Sequence, residues 1–336
     1  MRANIKTLRG RLNKGVLVCA VVKANAYSFG DTLIAKAIER EVDWFAVATL
    51  AEARRVRAVT AKPILLFATC EDFKEAKELD LVVSINSVDE MKRLSRVGGT
   101  CHIKVNTGMN RHGVQTLWQL RRVIEVARDN PNIKVDGLYT HMAFEENHID
   151  EVDKQLKRFQ PYIQLFKRSF RGKGLIHAAC SGAMHYSPAQ FDMVRVGKAI
   201  YGGYAGYKTA MTLTSKVVGV QNIRRGEYVG YAGTFVASQP MKVGIVPCGY
   251  ADFVHFNFSN RTCVEVDGVR CKILGRVCMD SFMVDVTAVP RALGKPVTIT
   301  APKKGLGIMD HVMAARMVTC EYLCTLDFSR ARVTYE

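Results

Sequence analysis

Over the first 200 positions, apolar residues come in short continuous runs separated by charged, periodic stretches. The runs read as buried strands: VLVCAVVKA at 16–24, WFAVAT at 44–49, PILLFAT at 63–69 and LVVSINS at 81–87. Four more follow: CHIKVNT at 101–107, VDGLYTHM at 135–142, LIHAACS at 175–181 and FDMVRVGKAIYG at 191–202. Between most of them lie segments such as DTLIAKAIER and SVDEMKRLSRV, with apolar residues three and four apart as on one helix face. Strands apolar on both faces and alternating with helices predict parallel βα units. Eight such units predict an α/β fold of the (β/α)8 TIM-barrel type, with its site at the C-terminal strand ends.

The pattern changes near Thr212. Strand-like runs now follow one another through tight turns, and Asp267-Gly268 between two alternating runs is a hairpin signal. This divides the chain into a barrel, 1–211, and a smaller, mainly β C-terminal domain, 212–336. A late helix, IMDHVMAARM, is expected before a final strand-like stretch, LCTLDFSRARVTYE.

Composition narrows the class. The 336 residues are 48% hydrophobic and 24% charged, which suits a soluble globular protein, and no apolar run approaches the length of a membrane span. The ten cysteines form no small-scaffold framework and several sit in strand-like runs, so reduced thiols in the cytoplasm are expected. No Cys/His spacing completes a metal site. The net charge of +17 is spread at helical surface spacing, as in Lys36, Arg40, Arg54, Arg55 and Arg57, without a nucleic-acid-binding signature.

Candidate chemistry gathers at the predicted strand ends. Lys23 closes the first strand, where an ammonium group is costly unless it reaches solvent or a site. Lys104 lies in the fifth with Arg111 just after it, and His141 closes the sixth. Ser181 closes the seventh, and Arg195 and Gly197 lie in the eighth. Loops after the last two strands of a barrel often bind phosphate, and Ser181-Gly182 and Gly197 supply a hydroxyl and close-approach amides. A lysine opposite such a cradle suggests pyridoxal 5'-phosphate. Taken singly, His141 also reads as a core histidine and Arg195 as half of an ordinary ion pair.

Together these residues carry a resemblance. AVVKANAY (20–27) resembles the cofactor-lysine motif of alanine racemases, the fold-type III pyridoxal phosphate enzymes. IKVNTGMNRHGV, GLYTHMA, HAACS, MVRVGKAIYG, GYAGTF, GYAD and GRVCMD follow in the family's order, across essentially the whole chain. The resemblance implies a racemase of L- and D-alanine that supplies D-alanine for cell-wall peptidoglycan. It implies a homodimer whose active sites are shared, with the C-terminal domain reaching the partner's site. Lys23 would hold the cofactor and act as one acid/base, and Tyr231 would be the other, on the opposite face. Arg195 would face the pyridine nitrogen, and His141 would stack near the cofactor and tune Tyr231. Tyr27, Ser181 and the backbone at Gly197 and Lys198 match the phosphate contacts. Arg111 and the Met279 amide match the substrate-carboxylate clamp, with Lys104 at a position that is carbamylated in many members. Tyr250, Arg276 and Asp280 match the channel by which substrate enters.

The chain departs from the family's pattern in places. Ser28-Phe29 stands where Gly-His is usual, Lys198 replaces an apolar residue, and Cys320 stands where a late tyrosine narrows the pocket. An arginine expected soon after GYAD is absent from FVHFNF, and Met1 begins in the first helix, without the family's N-terminal strand. Cys320 leaves serine, or broader specificity, as an alternative within the family. A non-catalytic pyridoxal phosphate-binding protein is the alternative of another class.

Overall fold

A computed structural model of the protein describes residues 1–334. The chain divides into two compact units, Arg2–Ile200 and the residues from Tyr201 on.

The first unit is built on eight parallel strands: β1 (Leu17–Val21), β2 (Trp44–Val47), β3 (Ile64–Leu66), β4 (Leu81–Ile85), β5 (Gly99–Lys104), β6 (Ile133–Tyr139), β7 (Leu175–His177) and β8 (Met193–Val196). Each strand from β1 to β6 pairs with the next, and β8 returns to β1, with Cys19 opposite Arg195. A single parallel bridge, Cys180 to Arg195, joins β8 to the segment after β7 and closes the ring. Every residue of β2, β3, β4 and β8 is buried, as expected where the lumen covers one face and helices the other. Several helices between strands carry good N-caps. Thr49 and Thr116 form full capping boxes with Glu52 and Gln119, and Ser87 caps Val88–Ser95.

The last two strands are shorter than their apolar runs suggest. After His177 the chain leaves the ladder, and Ala179 N–H turns to the Ala189 carbonyl. Ser181 therefore sits in the loop beyond β7. Likewise β8 stops at Val196 because the Gly197 amide donates to the Ser181 hydroxyl and Ile200 N–H closes a turn on the Gly197 carbonyl.

The second unit is an antiparallel seven-stranded sheet with a two-stranded ribbon. Its strands are β9 (Leu213–Lys216), β10 (Gly219–Ile223), β11 (Tyr228–Val229), β12 (Phe235–Val236), β13 (Met241–Val246), β14 (Cys263–Val266), β15 (Val269–Leu274), β16 (Phe282–Asp285) and β17 (Pro296–Thr300). The order in the larger sheet is β10-β13-β16-β15-β14-β17-β9, and β11 pairs with β12. Asp267 and Gly268 turn β14 into β15 with φ of 48° and 84°, the double positive φ of a type I′ hairpin. The expected final strand, 323–336, does not form among the described residues: its first two residues end a helix, Thr319–Cys324, 325–334 continue without a strand, and its last two lie outside the described residues. The helix buries Tyr322 and Leu323, with the Tyr322 ring 5.5 Å from Phe258. No helix among the described residues is long and apolar enough to cross a membrane.

Candidate active site

At the mouth of the barrel the chain reverses its hand. After β1, residues Ala24, Asn25, Ala26 and Tyr27 have φ between 52° and 55°, and Ser28 has 72°. One left-handed turn thus follows Lys23 directly. L-residues resist this conformation, so the turn must be held from outside. Glu52 does so. One carboxylate oxygen accepts from Ala24 N–H at 2.7 Å, and the other accepts from the amides of Ala48 and Thr49 beyond β2. Asn25 adds an Oδ1 that accepts from Asp31 N–H at 3.1 Å.

The left-handed turn sends the Tyr27 ring inward, where it is buried. Its hydroxyl lies so near Gly197 that a β-carbon there would fall 2.3 Å from it. The Gly197 amide donates to Ser181 Oγ at 3.1 Å. Two hydroxyls and a glycine turn thus converge beyond β7 and β8, with room that only glycine leaves, and Lys198 follows at once.

Arg195 is 2% exposed, and its guanidinium is held almost completely. Nη1 donates to His177 Nδ1 at 2.6 Å, and Nη2 donates to the carbonyls of Thr140 and Ala178 at 2.7 and 2.9 Å. The group lies over the Tyr139 ring at 5.0 Å. Only Nε, itself buried, has no acceptor. A buried charged donor without a partner is costly, and it marks a place for an acceptor the chain does not supply.

The rest of the network fixes the tautomers. Arginine only donates, so His177 accepts at Nδ1 and donates from Nε2 to His102 Nδ1, 2.9 Å away. Burial, followed by the charge of Arg195, holds His177 well below the ordinary imidazole range. Burial also lowers His102, to about 3. Both rings stay neutral, and the single positive charge remains on Arg195. His177 stacks on Tyr139 at 4.7 Å between centroids, and the Tyr139 hydroxyl meets Ser84. Sequence reasoning assigned no role to His102, Tyr139 or Glu52. For His102 a signal existed: two residues before Lys104 in one strand, it shares that lysine's face.

Lys104 ends β5, buried, with Nζ 5.6 Å from the centre of the Tyr139 ring. Burial, then the charges of Arg111, Arg195 and Lys23, lower its ammonium to about 8. Lys104, Arg111, Thr140 and His141 line one small cavity beside the loop after β5. His141 lies two residues past the end of β6, and burial with the same cations holds it well below the ordinary range, hence neutral. The structure therefore gathers Lys104, Arg111, His141 and Arg195 around one mouth, with Lys23 among the charges felt there.

The remaining candidates gather within the second unit. Tyr231 opens a short turn between β11 and β12, after Gly230 with φ 73°, and is 71% exposed. A β-carbon on Gly230 would lie 3.5 Å from the Arg276 amide nitrogen. At Gly249 one would lie 2.1 Å from the Met279 carbonyl oxygen, so the Tyr250 loop rests directly on the Met279 loop. Tyr250 and Ala251 amides donate to the carbonyls of Cys278 and Met279. Arg330 bridges the two loops, bonding Asp280 at 2.8 Å and pairing with Asp252 at 3.4 Å. This guanidinium comes from the C-terminal segment rather than from FVHFNF. Arg276 follows close beside Tyr231's turn, and Tyr250, Met279, Arg276 and Asp280 all present exposed side chains.

A parallel barrel with a lysine, a buried arginine and a hydroxyl-lined glycine turn at its mouth, followed by an antiparallel domain, defines a class of two-domain barrel enzymes. The chain belongs to the alanine racemase family. The profile "Alanine racemase, N-terminal domain" matches residues 1–205, and "Alanine racemase, C-terminal domain" matches 210–335. An alanine racemase of Streptococcus equi subsp. zooepidemicus is 33% identical, covering 97% of this chain and 93% of the relative. "Alanine racemase 2" of Caldanaerobacter subterraneus is 31% identical over 97% and 90%. Among solved structures, the biosynthetic alanine racemase of Pseudomonas aeruginosa superposes with a TM-score of 0.88 at 30% identity, covering 98% of this chain and 95% of that one. The enzyme of a D-cycloserine-producing Streptomyces lavendulae gives 0.89 at 28% identity, over 98% and 92%.

Proposed function

We infer that the protein is an isomerase that interconverts L- and D-alanine with pyridoxal 5'-phosphate, serving D-alanine supply for peptidoglycan. The observation that carries the cofactor is the orphaned Arg195 Nε, a buried cationic donor suited to a pyridine nitrogen. The Tyr27, Ser181 and Gly197 cradle suits its phosphate, and the closeness of Tyr27 to Gly197 explains why glycine is needed there. Bound, the cofactor supplies an electron sink for the charge left when an α-proton departs.

The chain supplies everything else. Lys23 Nζ holds the cofactor and carries a proton on one face. Tyr231 Oη carries one on the other, because a single base would tend to return the same enantiomer. Arg195, permanently charged, keeps the pyridine nitrogen an acceptor and so limits electron withdrawal. Arg111 and the Met279 amide bind the substrate carboxylate, Tyr250, Arg276 and Asp280 line its path, and neutral His141 donates toward Tyr231. Tyr231, Met279 and Tyr250, with Tyr228 and Phe256, leave a large exposed aromatic and apolar surface on the second unit. Such a surface favours a homodimer in which Tyr231 serves the partner's Lys23. The ten free thiols suit a reducing cytoplasm.

Two measurements test this reading. Borohydride reduction and peptide mapping should place the pyridoxyl adduct on Lys23, and a panel of amino acids should show racemisation of alanine. Serine belongs on the panel because Tyr322, committed to the core against Phe258, cannot replace the ring missing at Cys320. An adduct without racemisation of any amino acid would support the non-catalytic alternative.

Lys104 makes a further expectation. With its ammonium lowered to about 8, it is the buried amine best able to take up carbon dioxide and become an anion that orients Arg111. Labelled bicarbonate should give a carbamate signal that grows as pH rises through about 8 and is absent in Lys104→Arg. Without bicarbonate, the sign for stability follows from the same shift. The folded chain loses this proton near 8 and the unfolded chain near 10.5, so this group's contribution rises with pH between them. A flat carbamate response across that range would overturn the carbamylation of Lys104.

A further inference from the structure

The turn after β8 carries a charge that the family's resemblance does not call for. Lys198 follows Gly197, whose amide is tied to Ser181, and its side chain is only 19% exposed. It pairs with Glu145, from the loop after β6. Glu145 is itself placed with care: a β-carbon on Gly182 would fall 2.7 Å from Glu145 Cγ, so the acid lies flat on the residue after Ser181. The neighbouring backbone is pinned, with Glu146 N–H donating to the Gly182 carbonyl at 2.7 Å and His185 N–H to Glu146 Oε1 at 2.7 Å. An acid and a base therefore meet at the edge of the hydroxyl-lined cradle, one attracting a phosphate and the other repelling it.

We propose that Lys198 and Glu145 form a charge switch for the phosphate: Glu145 holds the Lys198 ammonium in the unloaded protein, and Lys198 transfers to the phosphate dianion when the cofactor binds. The inference rests on the reading of this cradle as a phosphate site. A dianion attracts an ammonium more strongly than a single carboxylate does, so the exchange is favourable. Glu145 then faces solvent, half exposed already. The pair thus sets affinity for phosphorylated over unphosphorylated cofactor, a property the backbone amides alone would not tune.

The test titrates apo-protein with pyridoxal phosphate and with pyridoxal, following absorbance, and competes both with inorganic phosphate. Glu145→Gln should tighten pyridoxal phosphate about three- to tenfold, and Lys198→Met should weaken it about tenfold, with pyridoxal shifted less than about twofold. Lys198→Arg should keep most of the affinity, and thermal melts confirm that each variant is folded. Equal effects on both ligands, or none on either, would overturn the switch while leaving the site intact. Wild-type protein that fails to prefer the phosphorylated ligand, or that is labelled away from Lys23, would overturn the site reading and the switch with it.

Discussion

Lys23→Ala is expected to lower kcat by about 10⁴-fold or more, since it removes the group proposed both to anchor the cofactor and to carry a proton. The loss should be specific. Lys23 is only partly buried and follows β1 rather than filling the core, so the melting temperature should stay near that of wild type. Lys104 is no substitute: it ends the fifth strand, with its amine over the Tyr139 ring. Tyr231→Phe should be comparably damaged in both directions of reaction, since either direction needs one base to take the proton and the other to return it. Mixing Lys23→Ala with Tyr231→Phe then separates two architectures. If each site joins Lys23 of one subunit to Tyr231 of the other, one of two sites in each heterodimer is intact, and a random mixture recovers about a quarter of wild-type activity. No recovery despite demonstrated subunit exchange would mean that each site is built within one chain.

Arg195→Met should damage stability and chemistry together. It leaves His177 Nδ1 and the carbonyls of Thr140 and Ala178 without their donor, all in the interior. Unmet acceptors there cost about 1–3 kcal/mol each, offset in part because a desolvated charge disappears, so a net loss of about 3 kcal/mol is expected. His177 would also be released from its tautomer. Activity should fall by about 10²-fold or more, with a larger share of turnover lost to transamination, measured as keto acid. Arg195→Lys should recover little, because a point charge cannot span three acceptors and still present a fourth donor. A variant that melts normally and makes no extra keto acid would contradict the role assigned to Arg195.

Much of this was legible in sequence because burial on both faces leaves nearly unbroken apolar runs. β1 to β5 fall where those runs are, and the Asp267-Gly268 hairpin lies where its turn chemistry requires. Short elements were less legible. β7 has three residues, and its apolar run continues through Ala178 and Ala179 into a loop that serves the cradle instead of the ladder. LCTLDFSRARVTYE reads as strand-like, yet its first two residues end a helix and 325–334 form no strand, because so few apolar residues fit either period. The family's motifs singled out Arg195, yet not the pairing of His102 with His177, which joins strands 75 residues apart. Lys198 stood out as a departure, but its partner Glu145 lies 53 residues away and is visible only in the fold.

The left-handed turn after Lys23 has a consequence for heat. Five successive residues at positive φ, none of them glycine, oppose their own chirality by about 1 kcal/mol each, which is comparable to the net stability of a whole domain. Only neighbours such as Glu52 hold them there. On warming, this turn should relax while the strands around it remain paired, so that the lysine swings away from the mouth before the barrel melts. Thermal inactivation would then precede unfolding and reverse on cooling, with the reactive amine as the first part of the molecule to lose its place.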